Sequence, residues 1–192
     1  MAAAAGGRRP ATGAGRHTWA MPRVGCYPGS FDPPTIAHLA VAEAAVRQAG
    51  LDRVDLVLAR RTLGKDHLDP ASVERRRALL LAVAADRPWL GVAVTDDRLI
   101  VDQAEGYDAV IMGADKWAQV VDPAWYGGSR AARDAAVARL PRVLVAPRAG
   151  DRPAGVELLD LPAHVADVSA TAVRDGAPHA AGWALPLAPP TD

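Results

Sequence analysis

The chain is poor in several residue types on which common kinds of site depend. Its 192 residues include one cysteine, one phenylalanine and, among 22 basic residues, two lysines. A single cysteine, Cys26, excludes an internal disulfide and a zinc site built from several cysteines, which agrees with a reducing compartment. The formal net charge is zero, so bulk electrostatics imply neither a nucleic-acid partner nor an anionic membrane surface. Any cationic site must be local.

Long apolar runs are also lacking. No run approaches the length needed to span a bilayer, and residues 1–20 lack the apolar segment of a secretory signal, so we expect a cytoplasmic protein with no membrane partner. Residues 1–22 are expected to form a disordered extension, because a start rich in Ala, Gly and Arg without acidic residues cannot bury enough surface to fold. An organelle transit peptide and initiation at Met21 are the alternatives. The proline-containing tail, 177–192, is expected to be irregular.

What the chain does have is an alternation of short apolar runs and helical patterns. Half of its residues are apolar, enough for the core of one domain, placed at 23–176. The alternation predicts an α/β fold with a single doubly wound parallel sheet and helices on both faces. Strands are expected at 23–27, 54–59, 90–94, 108–112 and 142–146, and helices at 36–49, 70–85, 98–104, 129–139 and after 169. Such sheets bind ligands beyond the carboxyl ends of their strands, so the loops after the first and fourth strands should face one crevice.

The loop from Tyr27 to His38 is the most informative segment, because it follows the first predicted strand and runs directly into a helix. Backbone N–H groups at a helix start have no partner within the helix and lie at the positive end of its dipole, so they attract anions. Thr35 is expected to be the N-cap. That places His38 at the third helical position, where its ring can hydrogen-bond a phosphate oxygen whose charge grows during reaction.

The pattern Gly-Ser-Phe-Asp-Pro-x-Thr-x-x-His in this loop resembles the signature of the nucleotidyltransferase superfamily, which includes class I aminoacyl-tRNA synthetases. More narrowly, it is similar to the small adenylyltransferases of cofactor synthesis. The resemblance implies that the loop binds ATP through Gly29, Ser30, Phe31, Thr35 and His38. His38 would contact the phosphates during catalysis. Ala37 stands where the family has glycine.

Two further segments resemble the same enzymes. Gly113-Ala114-Asp115 follows the fourth predicted strand and resembles the Gly-Ala-Asp of nicotinate and nicotinamide mononucleotide adenylyltransferases; Asp115 can accept hydrogen bonds from a ribose. Ser169-Ala170-Thr171-x-x-Arg174 resembles their Ile-Ser-Ser-Thr-x-x-Arg motif, in which hydroxyls and an arginine grip a polyphosphate. The resemblance adds these residues to the ATP site: Gly113, Asp115, Ser169, Thr171 and Arg174. Taken alone, the two segments also fit a tight turn and an ordinary capped helix.

A second group of residues is expected to bind the acceptor. In the pyridine mononucleotide enzymes a tryptophan after Gly-Ala-Asp stacks on the pyridine ring, and Trp117 and Trp125 both fit. Trp125 is favoured because turn residues flank it, whereas an indole such as Trp117 more often packs in the core. Lys65 and Lys116 are predicted to lie in loops near the crevice, where a compact ammonium suits a phosphate; chance placement is the alternative. Lys65 is assigned to catalysis, as a contact of the triphosphate or of the acceptor phosphate, because the enzymes that the chain resembles keep a basic residue after the second strand.

Together the resemblances imply transfer of AMP from ATP to the phosphate of nicotinate or nicotinamide mononucleotide, with release of pyrophosphate. His38, Lys65 and Arg174 would stabilise the transferred group. Mg²⁺ would be bound through the ATP phosphates, without a dedicated metal site in the protein.

Two alternative functions stay open. One is the same chemistry on phosphopantetheine, since the segments 27–33 and 99–104 look more like pantetheine-phosphate adenylyltransferases. The other is a nucleotide-binding homologue that has lost catalysis, with Ala37 and Ala170 as the altered motif positions. The sequence does not fix the oligomeric state, and a homo-oligomer is compatible with it.

Overall fold

The computed structural model describes residues 21–61, 69–148 and 150–185. Numbered along the chain, the strands within these residues are β1 (Val24–Pro28), β2 (Arg53–Ala59), β3 (Leu90–Thr95), β4 (Ala109–Gly113), β5 (Arg142–Ala146) and β6 (Glu157–Leu158). The α-helices are α1 (Ile36–Ala49), α2 (Pro70–Ala84), α3 (Ile100–Gln103), α4 (Ala114–Val120), α5 (Arg130–Val137) and α6 (Ala170–Arg174). Short 3₁₀ helices span Pro123–Tyr126, Ala163–Val165 and Pro178–Ala180.

All six strands form one parallel sheet in the order β3-β2-β1-β4-β5-β6. The order reverses between β1 and β4, because β2 and β3 extend the sheet to one side of β1 while β4, β5 and β6 extend it to the other. At a reversal of this kind the loops after the two central strands diverge and leave a crevice at the carboxyl ends. The predicted doubly wound sheet is confirmed, and the loop after β1 lies beside the start of α4.

Buried side chains cover both faces of this sheet. In β4 the side chain of Ile111 belongs to the cluster that includes α1 and α2, whereas Val110 and Met112 belong to a second cluster with α4. Since successive residues of a strand point to opposite faces, a strand buried on both sides needs apolar residues throughout. This is why the central strands are visible in the sequence as continuous apolar runs.

One strand and one α-helix of the described residues were not predicted, and neither were the three 3₁₀ helices. Strand β6 has two residues, too few to produce an apolar pattern. Helix α4 begins directly after Gly113, where the sequence was interpreted as a turn; the prediction of a loop around Lys116 is therefore wrong, because Lys116 lies within α4. In the part of the chain that the structure describes, no helix is both long and apolar enough to cross a membrane.

Candidate active site

A cavity of about 240 Å³ opens at the carboxyl ends of β1, β4 and β5. We call it the His38 cavity. Residues from all three predicted motifs line it: Ser30, Thr35, His38, Gly113, Asp115, Ser169, Thr171 and Arg174. These segments are far apart in sequence, and the predicted crevice is the feature that brings them together.

His38 is held by the start of its own helix. Thr35, the N-cap of α1, has extended backbone angles (φ −126°, ψ 165°). Its N–H donates to Nδ1 of His38 at 2.9 Å, and its Oγ1 lies 2.9 Å from the same nitrogen. A nitrogen that accepts an N–H carries a lone pair, so the imidazole proton is assigned to Nε2. The ring, which lines the cavity, therefore offers Nε2–H as a donor.

The environment keeps this imidazole neutral. Burial lowers the pKa of His38 to about 4, and the nearby Arg148 guanidinium acts in the same direction. At neutral pH the ring therefore carries no charge, and it can contribute a directed hydrogen bond through its N–H.

Phe31 is not among the residues that line the His38 cavity. It is 1% exposed, and its ring meets the His38 imidazole edge-on, with centroids 5.1 Å apart. A Cβ at Gly29 would lie 2.7 Å from the Phe31 ring, so the glycine lets the loop close over it. The structure places Phe31 in the core behind the imidazole, where it supports the ring of His38, and not at the surface expected for ATP.

Arg174 links the third motif to the loop. Ser169 caps α6 by accepting a hydrogen bond from the Ala172 N–H. One turn later Arg174 donates to the Asp32 carbonyl oxygen and to Thr171 Oγ1, the latter at 3.0 Å. The Asp32 carboxylate pairs with Arg76 of α2 at 3.5 Å. Asp32 therefore ties the loop to two arginines, one through its carbonyl oxygen and one through its carboxylate.

Gly113 and Asp115 shape the opposite wall. Gly113 is the N-cap of α4, and a Cβ there would lie 2.6 Å from Oδ1 of Asp115. The glycine thus leaves room for the carboxylate to fold back over the end of β4. Burial raises the pKa of Tyr27 on the cavity floor, and the Asp115 charge raises it further. Tyr27 therefore stays protonated at neutral pH.

Arg148 lines the same cavity and was missed by the sequence analysis. It lies just beyond β5, the strand next to β4, where its charge helps to lower the pKa of His38 and opposes the rise in the pKa of Tyr27. Its position at a carboxyl strand end was a usable signal. The residue type gave no such signal, because nearly all basic residues of this chain are arginines.

A second cavity of about 210 Å³, the Trp125 cavity, adjoins the first, and Ser30 lines both. Trp125 is 38% exposed and stands in the 3₁₀ helix Pro123–Tyr126, which Asp122 caps through the Ala124 N–H at 2.9 Å. Arg98 and Lys116 also line this cavity. The described residues that line it include two cations and no carboxylate.

The other residues considered for the acceptor have different outcomes. Trp117 packs against the buried cluster beside α4 and lines neither cavity. Lys116 faces the Trp125 cavity from α4, with Nζ donating to Oε1 of Gln119 at 2.7 Å. Lys65 lies outside the described residues. Arg98 was not predicted, although it follows β3 at the same edge of the sheet.

Residues 26–176 match the family model described as cytidylyltransferase-like. A probable nicotinate-nucleotide adenylyltransferase of Salinibacter ruber is 29% identical over 158 residues, which cover 76% of this chain and 75% of that protein. A probable nicotinate-nucleotide adenylyltransferase of Bordetella pertussis is 40% identical over 62 residues, which cover 32% of this chain and 32% of that protein. The chain thus spans about a third of the length of that relative. A phosphopantetheine adenylyltransferase of Rhizorhabdus wittichii is 33% identical over 90 residues, 47% of this chain and 51% of that protein.

Among solved structures, Plasmodium falciparum nicotinic acid mononucleotide adenylyltransferase complexed with NaAD is similar to this chain. The TM-score is 0.57 at 14% sequence identity, and the match covers 80% of this chain and 83% of that one. Similarity at this level of identity concerns the fold.

Proposed function

Because the chain belongs to the cytidylyltransferase-like family, we propose that it is an adenylyltransferase that moves AMP from ATP to the phosphate of nicotinate or nicotinamide mononucleotide. The observation that carries the proposal is the convergence of His38, the Gly113–Asp115 segment and Arg174 on one cavity. A second cavity adjoins it at Ser30 and holds an exposed tryptophan. Two adjoining compartments suit a reaction that joins two nucleotides.

ATP would occupy the His38 cavity. Its phosphates would lie at the start of α1, where Ala37 and His38 line the cavity, with Arg174 and Arg148 beside them. Arginine binds phosphate oxygens through paired N–H groups, which fixes position as well as charge. The ribose would lie near Asp115, whose carboxylate accepts hydrogen bonds from hydroxyl groups.

The acceptor would occupy the Trp125 cavity, with its pyridine ring against the indole and its phosphate directed towards Ser30. An oxygen of that phosphate attacks the α-phosphorus of ATP, the new P–O bond forms on one side, and the bond to the bridging oxygen of the β-phosphate breaks on the other. Pyrophosphate leaves with the electron pair of the broken bond. No covalent protein intermediate is needed, because positioning and charge stabilisation account for most of the acceleration.

The lining of the His38 cavity fits a metal that arrives with the nucleotide. Asp115 is the one carboxylate among the described lining residues, beside two arginines and a neutral imidazole. Mg²⁺ binds phosphate oxygens and water readily and uses few protein ligands in such sites. When bound, it would neutralise charge on the phosphates. A cytoplasmic location, where both substrates are available, completes the proposal.

Phosphopantetheine is the second candidate acceptor. The Rhizorhabdus wittichii relative favours it, and the flexible pantetheine arm is also compatible with a cavity that holds Leu99 and Ile100. We place the pyridine mononucleotides first, because an exposed indole gives a planar ring more contact than it gives a flexible chain. The longest of the alignments described above is also with a pyridine mononucleotide enzyme.

The test is to incubate the purified protein with ATP, Mg²⁺ and each acceptor in turn, and to measure pyrophosphate together with the adenylylated product. We expect turnover with nicotinate or nicotinamide mononucleotide. Turnover with phosphopantetheine alone would replace the first acceptor by the second. Saturable ATP binding without pyrophosphate from any acceptor would identify a homologue that has lost catalysis.

A further inference from the structure

The segment after the matched family region folds back onto the loop that carries Ser30 and His38. Within Pro178–Leu185 the side chain of Ala180 is 4% exposed, and the Trp183 ring packs edge-on against His179 with centroids 5.3 Å apart. Leu185 packs against the main core cluster. These contacts fix residues 178–185 on the body of the protein beside α1. We call this segment the C-terminal strap.

Two backbone hydrogen bonds join the strap to the loop, one on each side of Thr35. The Leu185 N–H donates to the Pro34 carbonyl oxygen at 3.0 Å, and the Ile36 N–H donates to the Trp183 carbonyl oxygen at 2.9 Å. They form an antiparallel bridge in which Thr35 is opposite Ala184. Thr35 is 1% exposed as a result of this packing.

This bridge acts at the residue that holds the imidazole. The N–H that donates to Nδ1 of His38 belongs to Thr35, and both neighbours of Thr35 are fixed by the strap. Ile36 is also the first residue of α1, so one of the four partnerless N–H groups of this helix start is used by Trp183. The next amide, that of Ala37, belongs to a residue that lines the His38 cavity.

Arg174 reaches the loop from the same direction, through its hydrogen bond to the Asp32 carbonyl oxygen. The backbone at residues 32, 34 and 36 is thus held by three groups that all come from residues 174–185. Alternate positions along the loop are therefore fixed, one by a guanidinium and two by backbone groups of the strap.

We propose that the C-terminal strap is a positioning element of the active site: its bridge to Pro34 and Ile36 holds the start of α1 so that the Ala37 amide and the imidazole of His38 meet the phosphates of ATP. The proposal rests on the proposed function for its catalytic consequence. Its structural content, a phosphate-binding helix start set by a distant segment, is independent of the acceptor. A displacement of about 1 Å of such groups costs up to about a hundredfold in rate.

Proline substitutions test the bridge, because proline lacks the backbone N–H that donates each of its two hydrogen bonds. Ile36→Pro deletes the donor to Trp183 at the first helical position, where proline is well tolerated, and Thr35 already has the extended backbone that precedes proline. Ile36→Ala is the matched control, since it loses the same side chain but keeps the N–H. Leu185→Pro and Leu185→Ala form the equivalent pair on the strap.

In the full-length chain we expect each proline variant to bind ATP·Mg²⁺ at least about tenfold more weakly than its alanine control. We also expect kcat to fall by a larger factor than the factor by which KM for the acceptor changes. Calorimetry measures the first effect and steady-state kinetics the second. The double proline variant should be no worse than either single one, because both open the same bridge. Urea unfolding of all variants separates this effect from loss of stability.

Equal ATP affinity and equal kcat in the proline and alanine variants would overturn the proposal, even if the proline variants were less stable. Amide hydrogen exchange gives a second criterion: rapid exchange at Ile36 and Leu185 in the unaltered chain would mean that the bridge is absent in solution. If no acceptor supports turnover, the proposed function fails while the ATP-binding comparison still decides on the strap. A chain that binds no ATP would overturn both.

Discussion

His38 offers the sharpest test of the proposed chemistry, because its two ring nitrogens have different tasks. Nδ1 accepts the Thr35 N–H at 2.9 Å, which leaves Nε2–H as the donor of a ring that lines the cavity. Removing both with His38→Ala should cost about a hundred- to a thousandfold in kcat, the usual effect of losing one donor to a developing charge. It should also lower the free energy of unfolding by about 1 to 3 kcal/mol, since the buried Thr35 N–H loses its acceptor.

Two further substitutions separate these effects. His38→Asn keeps an acceptor near the Nδ1 position but removes the distal donor, so stability should stay close to that of the unaltered protein while kcat falls about as far as in the alanine variant. His38→Gln keeps an N–H near the Nε2 position but loses the acceptor, so stability should fall while kcat is lowered by about tenfold. The ranking in kcat and the ranking in stability are therefore opposite.

Pyrophosphate release with saturating ATP and acceptor gives kcat, and urea unfolding gives stability. A His38→Asn variant with unaltered kcat would refute the assigned role of Nε2–H. Opposite rankings are not expected from a residue that merely packs against Phe31, because both substitutions remove the same aromatic ring.

The other predictions concern neighbouring groups. Trp125→Ala should raise KM for the acceptor by about tenfold through lost stacking and leave KM for ATP unchanged. Trp117→Ala should instead lower the free energy of unfolding by about 2 kcal/mol without changing either KM. Steady-state kinetics and urea unfolding distinguish the two outcomes. Arg148→Gln should raise the pKa of His38, because a nearby cation is removed, as NMR titration of the imidazole would show. The folded-state pKa of about 4 lies below the ordinary 6.5, so the unfolded chain takes up a proton first as pH falls. His38 alone should lower stability by about 3 kcal/mol between pH 6.5 and 4, and His38→Asn should remove this contribution.

The strands could be predicted because burial on both faces demands continuous apolar runs. Strand β6 could not, since two residues are too few for an apolar pattern and its cross-strand side-chain contact is polar: Arg142 of β5 contacts both carboxylate oxygens of Glu157, at 2.7 and 2.8 Å. The hydrogen bonds of this pair raise the pKa of Arg142 and lower that of Glu157. A cross-strand ion pair between residues fifteen positions apart leaves no periodic signal.

Helix α4 was missed for a different reason. Gly-Ala-Asp is typical of a turn, yet Gly113 has φ −75° and ψ 159° and serves as an N-cap. The residue is glycine because the Asp115 carboxylate needs the space, and not because the backbone requires a positive φ. Turn signals and close-approach signals use the same residue type, so the sequence alone does not separate them.

The parts of the site that depend on side chains could be predicted from the sequence, and the parts that depend on backbone groups could not. His38, Asp115 and Arg174 line one cavity, as the motif order and the positions of the strand ends had led us to expect. The bridge from Trp183 and Leu185 to the loop depends on backbone groups, which every residue except proline supplies equally. No pattern of residue types therefore indicated that the tail would pair with Thr35.

The structure also bears on the two motif positions where this chain has alanine. Ala37 is the second residue of α1, in helical backbone, and Ala170 is the first residue of α6, directly after its cap Ser169. At both places the backbone amide survives the change, and alanine stabilises a helix relative to glycine by about 1 kcal/mol. Ala37→Gly should therefore lower the free energy of unfolding by about that amount without raising kcat. A large gain in turnover would instead mean that the Ala37 methyl group crowds the phosphate, and the case for a homologue with impaired catalysis would become the stronger one.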